Sequence, residues 1–264
     1  MAVADFYETQ NELISVCDLS FKYTEDKTET DILKNIGFRI YRGEFICVMG
    51  PSGCGKSTLL KILAGFEKPT QGSVYLENEP IDGIDWHRGV VFQNPPLFEW
   101  FSVRKNIGFG PMVRGIPRKE INEKVNEYLR LVGLQDDGDK KIFELSGGMK
   151  QRVAIARSLI NNPEILLMDE PFGALDALTR EQMQNLLRNI WYTTGKTIFF
   201  ITHDVDEALQ LGTRVLIMSK DPGTIVEEIP VRFSRKLIED GNFRSRYTEE
   251  FYEKRQHILD IISK

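Results

Sequence analysis

Cysteine and long hydrophobic runs are what this sequence has least of. Its 264 residues hold three cysteines, Cys17, Cys47 and Cys54, an odd number with no CxxC spacing. Neither a disulfide framework nor a zinc site is expected from them. No stretch reaches the about 18 consecutive apolar residues that suggest a membrane-spanning helix, so no such helix is expected. The opening, MAVADFYETQNEL, has no basic region leading into an apolar run, which argues against a secretory leader. Charge of a single sign is missing too. Thirty-four basic side chains face 39 acidic ones, a net charge of −5. That balance is too mild for a polyanion-binding surface, so nucleic acid is not an expected partner. Repeats, low-complexity stretches and heptad runs are absent. These exclusions leave a soluble chain of a reducing compartment.

What is present is a globular composition, 41% hydrophobic and 28% charged. At about 150 residues per domain, the length fits one large domain or two small ones. Residues 13–23 (LISVCDLSFKY) and 36–42 (IGFRIYR) alternate as strands do, the first imperfectly. EFICVMG, 44–50, is a short apolar run ending in glycine, the pattern of a buried parallel strand. A glycine-rich turn and the helical period of STLLKILAGF follow it. Short strands are expected at 74–76, 90–92, 165–168 and 197–201, and a hairpin at 214–218 and 224–231. The segment from about 95 to 160 reads as mainly helical. Within it PRKEINEKVNEYLRLVGL aligns Ile121, Val125, Leu129 and Val132 on one face, between a starting proline and Gly133. Amphipathic helices are expected at 179–195 and 248–262, the last with Phe251, Ile258 and Ile262 on one side. Strands alternating with helices argue an α/β core with a parallel sheet.

Residues 50–58, GPSGCGKST, fit G-x-x-x-x-G-K-[ST]. Nucleotide phosphates concentrate negative charge in a small volume. Glycines let backbone N–H groups curl around that charge, and the next helix turns its positive end toward it. Lys56 is expected to reach the β- and γ-phosphates, Ser57 to ligate Mg²⁺, and Thr58 to assist. Gly50, Pro51, Ser52, Gly53, Cys54 and Gly55 form the cradle. Cys54 reads as a small residue that fits the loop, with a reactive thiol as the sharper alternative.

ILLMDE, 165–170, is a buried strand ending in two carboxylates. A carboxylate at a sheet's C-terminal edge stands where nucleotides bind in such folds. Asp169 is the expected Mg²⁺ ligand, and Glu170 the group that orients the attacking water.

Between these motifs stands LSGGMKQR, 145–152, and here the chain strongly resembles the ATP-binding cassette (ABC) ATPases. Other elements fall in that family's order. Tyr23 in LSFKY matches the aromatic that stacks on adenine. Gln93 in VVFQN matches the glutamine loop, which binds Mg²⁺ or water. GALD, ending in Asp176, and His203 in FFITHD match two further motifs. The resemblance covers about residues 12–230 and implies a P-loop NTPase core of ABC type. That core would carry an N-terminal antiparallel β subdomain and a helical insert at about 95–160, followed by a short helical tail, 231–264. It implies ATP and Mg²⁺ as cofactors. Ser146, Gly147 and Gly148 would meet the γ-phosphate held by a second copy, in a head-to-tail dimer. His203 would help hold the transition state. His87 and His257 lack such a context and read as solvated.

NPPLFEWF, 94–101, crowds Leu97, Phe98, Trp100 and Phe101 onto an expected loop. They pack inward, or they form a groove for a partner helix. The resemblance implies the groove, and separate membrane permease subunits with a solute-binding protein beyond them. It places the chain on the cytoplasmic face of the inner membrane. The LFEWFSVRKNI, RGIPRKE and KDPGTIVEEIPV stretches resemble nitrate, sulfonate and taurine importers, although Glu99 stands where those often have proline before tryptophan. A soluble ABC ATPase and an exporter subunit are the alternatives.

Overall fold

The short apolar runs assemble edge to edge in a computed structural model that describes residues 11–25, 28–239 and 248–263. Five are parallel: β3 (Phe45–Met49), β6 (Arg88–Val91), β7 (Ile165–Asp169), β8 (Thr197–Ile201) and β9 (Arg214–Met218). β10 (Ile225–Pro230) adds antiparallel to β9, and the order across the sheet is β10-β9-β3-β8-β7-β6. Strands covered on both faces need no polar side, which explains the continuous hydrophobic runs. Alternate residues serve different cores. Phe45, Cys47 and Met49 join the cluster that holds the helical insert, whereas Ile46 and Val48 join the cluster under the second sheet. Phe200 and Phe199 divide in the same way.

The second sheet is antiparallel, in the order β2-β1-β4-β5. It comprises β1 (Glu12–Glu25), β2 (Thr28–Tyr41), β4 (Gln71–Leu76) and the short β5 (Glu79–Pro80). The imperfect alternation of β1 has a cause. Its pairing shifts register between Val16 and Leu19, around Asp18 with φ 48°. β2 begins eight residues earlier than the sequence pattern indicates. It is an edge strand, and its first residues are exposed and polar, so no hydrophobic period marks them.

Helix α1 (Lys56–Ala64) follows β3. The segment after Gln93 is mainly helical, with α2 (Val103–Ile107), α3 (Phe109–Val113), α4 (Arg118–Leu131) and α5 (Gly147–Leu159). Val125, Leu129 and Val132 are buried on one face of the α4 region, and Gly133 closes it at φ 67°. α6 (Ala177–Thr194) precedes β8, and α7 (Val205–Leu211) follows it. α7, β5 and α8 (Phe233–Glu239) are elements the sequence pattern did not mark. α9 (Glu249–Ile262) buries Phe251 and Ile258, while Ile262 is half-buried. Arg255 of α9 donates to Asp206 of α7 at 2.7 Å, fastening the tail to that helix.

Candidate nucleotide site

Because β3, β8 and β7 are parallel neighbours, the residues at and just past their C-terminal ends lie side by side. Those residues are the glycine turn 50–55, the Thr202–His203 pair and the Asp169–Glu170 pair. The turn depends on its glycines at two places. At Gly50, φ 154°, a Cβ would stand 2.5 Å from the Met218 carbonyl oxygen. At Gly55, φ 93°, it would stand 2.5 Å from Leu33 Cδ2. The turn wraps the Lys56 ammonium, whose Nζ donates to the Gly50 and Pro51 carbonyls at 2.8 and 3.0 Å. Lys56 thus occupies the loop's own acceptors while presenting its charge to the cleft.

An open cleft of about 480 Å³ lies over this turn. Tyr23, Gly50, Ser52, Gly53, Gly55, Lys56, Ser57, Thr58, Glu170 and His203 all line it. Ile32 lines it too and was missed by sequence reasoning; only its place beside Leu33, packed on Gly55, marks it. The Tyr23 ring is partly exposed at the cleft and packs edge-on to Phe21 at 4.9 Å.

Asp169 is not in the cleft lining, but the hydroxyl of Ser57, which is, donates to its Oδ1 at 3.0 Å. Burial is the main cause that raises the Asp169 carboxyl above its ordinary pKa, against the lowering pull of Ser57. A hydroxyl and a carboxylate are hard oxygen donors. Two such groups suit Mg²⁺, which keeps waters and takes further oxygens from phosphates. Beside them Glu170 is held at φ 43°, in the left-handed region that side chains seldom adopt. Its N–H donates to the Ile201 carbonyl at 3.1 Å, which fixes the strained turn to the end of β8. Glu170 Oε2 lies 3.3 Å from His203 Nδ1, joining the two strand ends across the cleft.

The remaining sequence candidates lie elsewhere. Cys54 is 1% exposed and packs into the core beneath the turn, with its sulfur 3.7 Å from Lys56 Nζ. The reactive-thiol reading loses its basis, because a buried sulfur is out of a reagent's reach. Gln93 is exposed but does not line the cleft; its amide nitrogen would be 3.1 Å from a Cβ placed on Gly173. Ser146 caps α5, accepting from the Met149 N–H at 3.3 Å. Gly147 and Gly148 turn toward the segment after β7, where Gly148 leaves no room for a Cβ beside Thr179. Asp176 caps α6, accepting from the Thr179 N–H at 3.0 Å, and this bond holds its carboxyl below the ordinary range. Ser146, Gly147, Gly148 and Asp176 therefore gather at a second place, outside the cleft. His257 is half-exposed and paired to Glu227 at 2.8 Å, and His87 is paired to Asp85.

In NPPLFEWF, Leu97 is buried, Phe98 packs on Phe109 at 4.5 Å, and Trp100 is 69% exposed. Leu97 and Phe98 thus pack inward, and Trp100 stays open to solvent. A cavity of about 290 Å³, lined by Trp86, Phe98, Phe109 and Arg157, opens beside them.

A family model described as ABC transporter matches residues 33–173. The chain belongs to the ABC transporter family. A taurine import ATP-binding protein of Pelagibacter ubique is 48% identical over 254 residues, 96% of this chain and 95% of that protein. One of Roseobacter denitrificans is 46% identical over 250 residues, 94% of this chain and 93% of that protein. Among solved structures, the dimeric bacterial ABC transporter cassette MJ0796 superposes with a TM-score of 0.74. It is 33% identical and covers 83% of this chain and 99% of that one. The two-sheet core with its helical insert is the ABC cassette architecture. Among the described residues no helix is long and apolar enough to cross a membrane.

Proposed function

We propose that this chain is the ATP-hydrolysing subunit of an ABC importer for taurine or a related sulfonate. The observation that carries the reading is the cleft that joins the Lys56 turn, Ser57 with Asp169 bonded behind it, and the Glu170–His203 pair. The names of the relatives support the direction and the solute.

In this reading the turn and the first N–H groups of α1 cradle the β- and γ-phosphates, and Lys56 neutralises their charge. Tyr23 stacks on the adenine. Ser57 and Asp169 would hold Mg²⁺, with Gln93 as a further ligand. Bound there, Mg²⁺ would neutralise phosphate charge. Glu170 orients the attacking water at its carboxylate, on a backbone already fixed in the required turn. His203 holds Glu170 in register and steadies charge developing on the γ-phosphate. Ser146, Gly147, Gly148 and Asp176 act across a dimer, meeting the nucleotide on a second copy's loop. The dimeric MJ0796 cassette supports this arrangement. The cassette spans 12–230 with its helical subdomain at about 95–160, and 231–264 is the tail. The cavity beside Phe98 receives a helix of the membrane permease, which places the chain peripherally on the cytoplasmic face. A solute-binding protein delivers the solute from the other side.

Glu170→Gln tests the mechanism. The variant is expected to bind ATP normally, lose about 10²–10³-fold in turnover, and accumulate as a dimer in size-exclusion chromatography with ATP. Turnover at the wild-type rate removes Glu170 from its role. The solute is tested in proteoliposomes with the cognate permease and binding protein. Taurine should stimulate hydrolysis; stimulation by another sulfonate or by nitrate alone reassigns the solute.

A further inference from the structure

His203 has an exposed imidazole on a backbone that is bound on both sides. The Thr202 N–H donates to the Val48 carbonyl at 3.2 Å, tying the residue before it to β3. The Thr202 hydroxyl donates to Glu207 Oε2 at 2.5 Å. The Asp204 N–H donates to that same hydroxyl oxygen at 3.0 Å. Asp204 Oδ1 in turn accepts from the Glu207 N–H at 3.1 Å. The other carboxylate oxygen, Glu207 Oε1, accepts from the Gln184 side-chain amide of α6 at 3.0 Å. Glu207 is 5% exposed, and both of its oxygens are matched by donors inside the protein.

Burying a carboxylate is costly unless donors replace its water. A helix start needs only the Asp204 cap, so the buried carboxylate one turn later is more than α7 requires. Its contacts run to Thr202, directly before His203, and to Gln184 on the helix that Asp176 opens. A small cavity of about 10 Å³ is lined by Glu207, His203 and Glu170 together.

We propose that Glu207 is a positioning residue for hydrolysis, which acts through Thr202 to set His203 against Glu170. It touches neither nucleotide nor water itself. The inference rests on the role given to His203 above.

The test is a double-mutant cycle on steady-state ATP hydrolysis by the full chain, with thermal melting of every variant. Glu207→Ala is expected to lower kcat about tenfold while changing KM for ATP less than about twofold, since the Lys56 turn is untouched. Thr202→Val removes the same hydroxyl bond at nearly constant shape and should lower kcat in the same way, which covers the case of a poorly folded Glu207→Ala. Glu207→Gln keeps an acceptor and should restore most of the rate. Combined with His203→Ala, Glu207→Ala should cost nothing further, because the residue it positions is gone. A purely structural Glu207 would instead give a multiplied loss in the double variant, and that result overturns the proposal. So does a wild-type kcat in both Glu207→Ala and Thr202→Val. If His203→Ala alone keeps wild-type turnover, the role of His203 falls and this inference with it. If His203→Ala is slow and the two network variants are not, only this inference falls.

Discussion

Single side chains in this site do two jobs, and their substitution separates them. Lys56 presents charge to the cleft and also holds the turn through the Gly50 and Pro51 carbonyls. Lys56→Ala should abolish ATP binding in a titration with a fluorescent nucleotide and lower stability by about 1–3 kcal/mol in denaturant unfolding. Glu207 offers a test by pH. Burial, the largest cause, raises its carboxyl above the ordinary range, against the lowering pull of Thr202 and Gln184. A carboxylate raised in the folded state makes folding less favourable as pH rises through the window between its unfolded and folded values. Glutamine has no such loss. The Tm of Glu207→Gln relative to wild type should therefore climb from acid to neutral pH and then level off, as read by scanning calorimetry. A difference independent of pH would mean that Glu207 is not raised. Much of the site was legible from residue types alone. The glycine turn with Lys56 and Ser57, the Asp169–Glu170 ending and His203 carry chemistry that few other patterns need. Ile32 was not legible, because an isoleucine on a polar edge strand announces nothing, and the burial of Cys54 depends on contacts distant in sequence.

At the level of elements, caps join local structure to function. Asp176 starts α6 and is also assigned to the dimer contact. Asp176→Ala should cost about 1 kcal/mol in unfolding. It should leave ATP binding by the single chain unchanged and weaken ATP-driven dimerisation, measured by sedimentation. Equal weakening of both would put Asp176 in the cleft chemistry instead. The same scale shows why some elements could be read and others could not. β3, β7, β8 and β9 are buried on both faces, so their hydrophobic runs are unbroken. β2 has an exposed polar half. α7 has seven residues, too few for a helical period to stand out. Its Asp204-to-Glu207 spacing is a helix-start signal, hidden because the same residues sit beside the histidine motif.

The molecule as a whole presents half of each proposed site in two places. The Lys56 cleft and the Ser146–Gly148 turn do not meet within one chain. A mixture of two inactive variants should then regain activity. Lys56→Ala keeps a sound Ser146 turn, and Ser146→Arg keeps a sound cleft. Dimers with one copy of each contain one intact site, so the mixture should hydrolyse ATP where neither variant alone does. A mixture as inactive as its parts would refute the head-to-tail arrangement.

The strand that carries the phosphate turn sits in the middle of its sheet, between β9 and β8. Both neighbours are encoded about 150 residues or more after it. A ribosome therefore releases β3 long before anything can pair with either of its edges. During that interval five apolar residues with open edges are in water, the condition that invites aggregation or chaperone capture. A chain stopped before residue 214 lacks β9, and with it the Met218 carbonyl against which Gly50 is fitted. Premature termination should thus yield no weakened enzyme, only a four-stranded sheet with one edge of β3 left open for proteases to find.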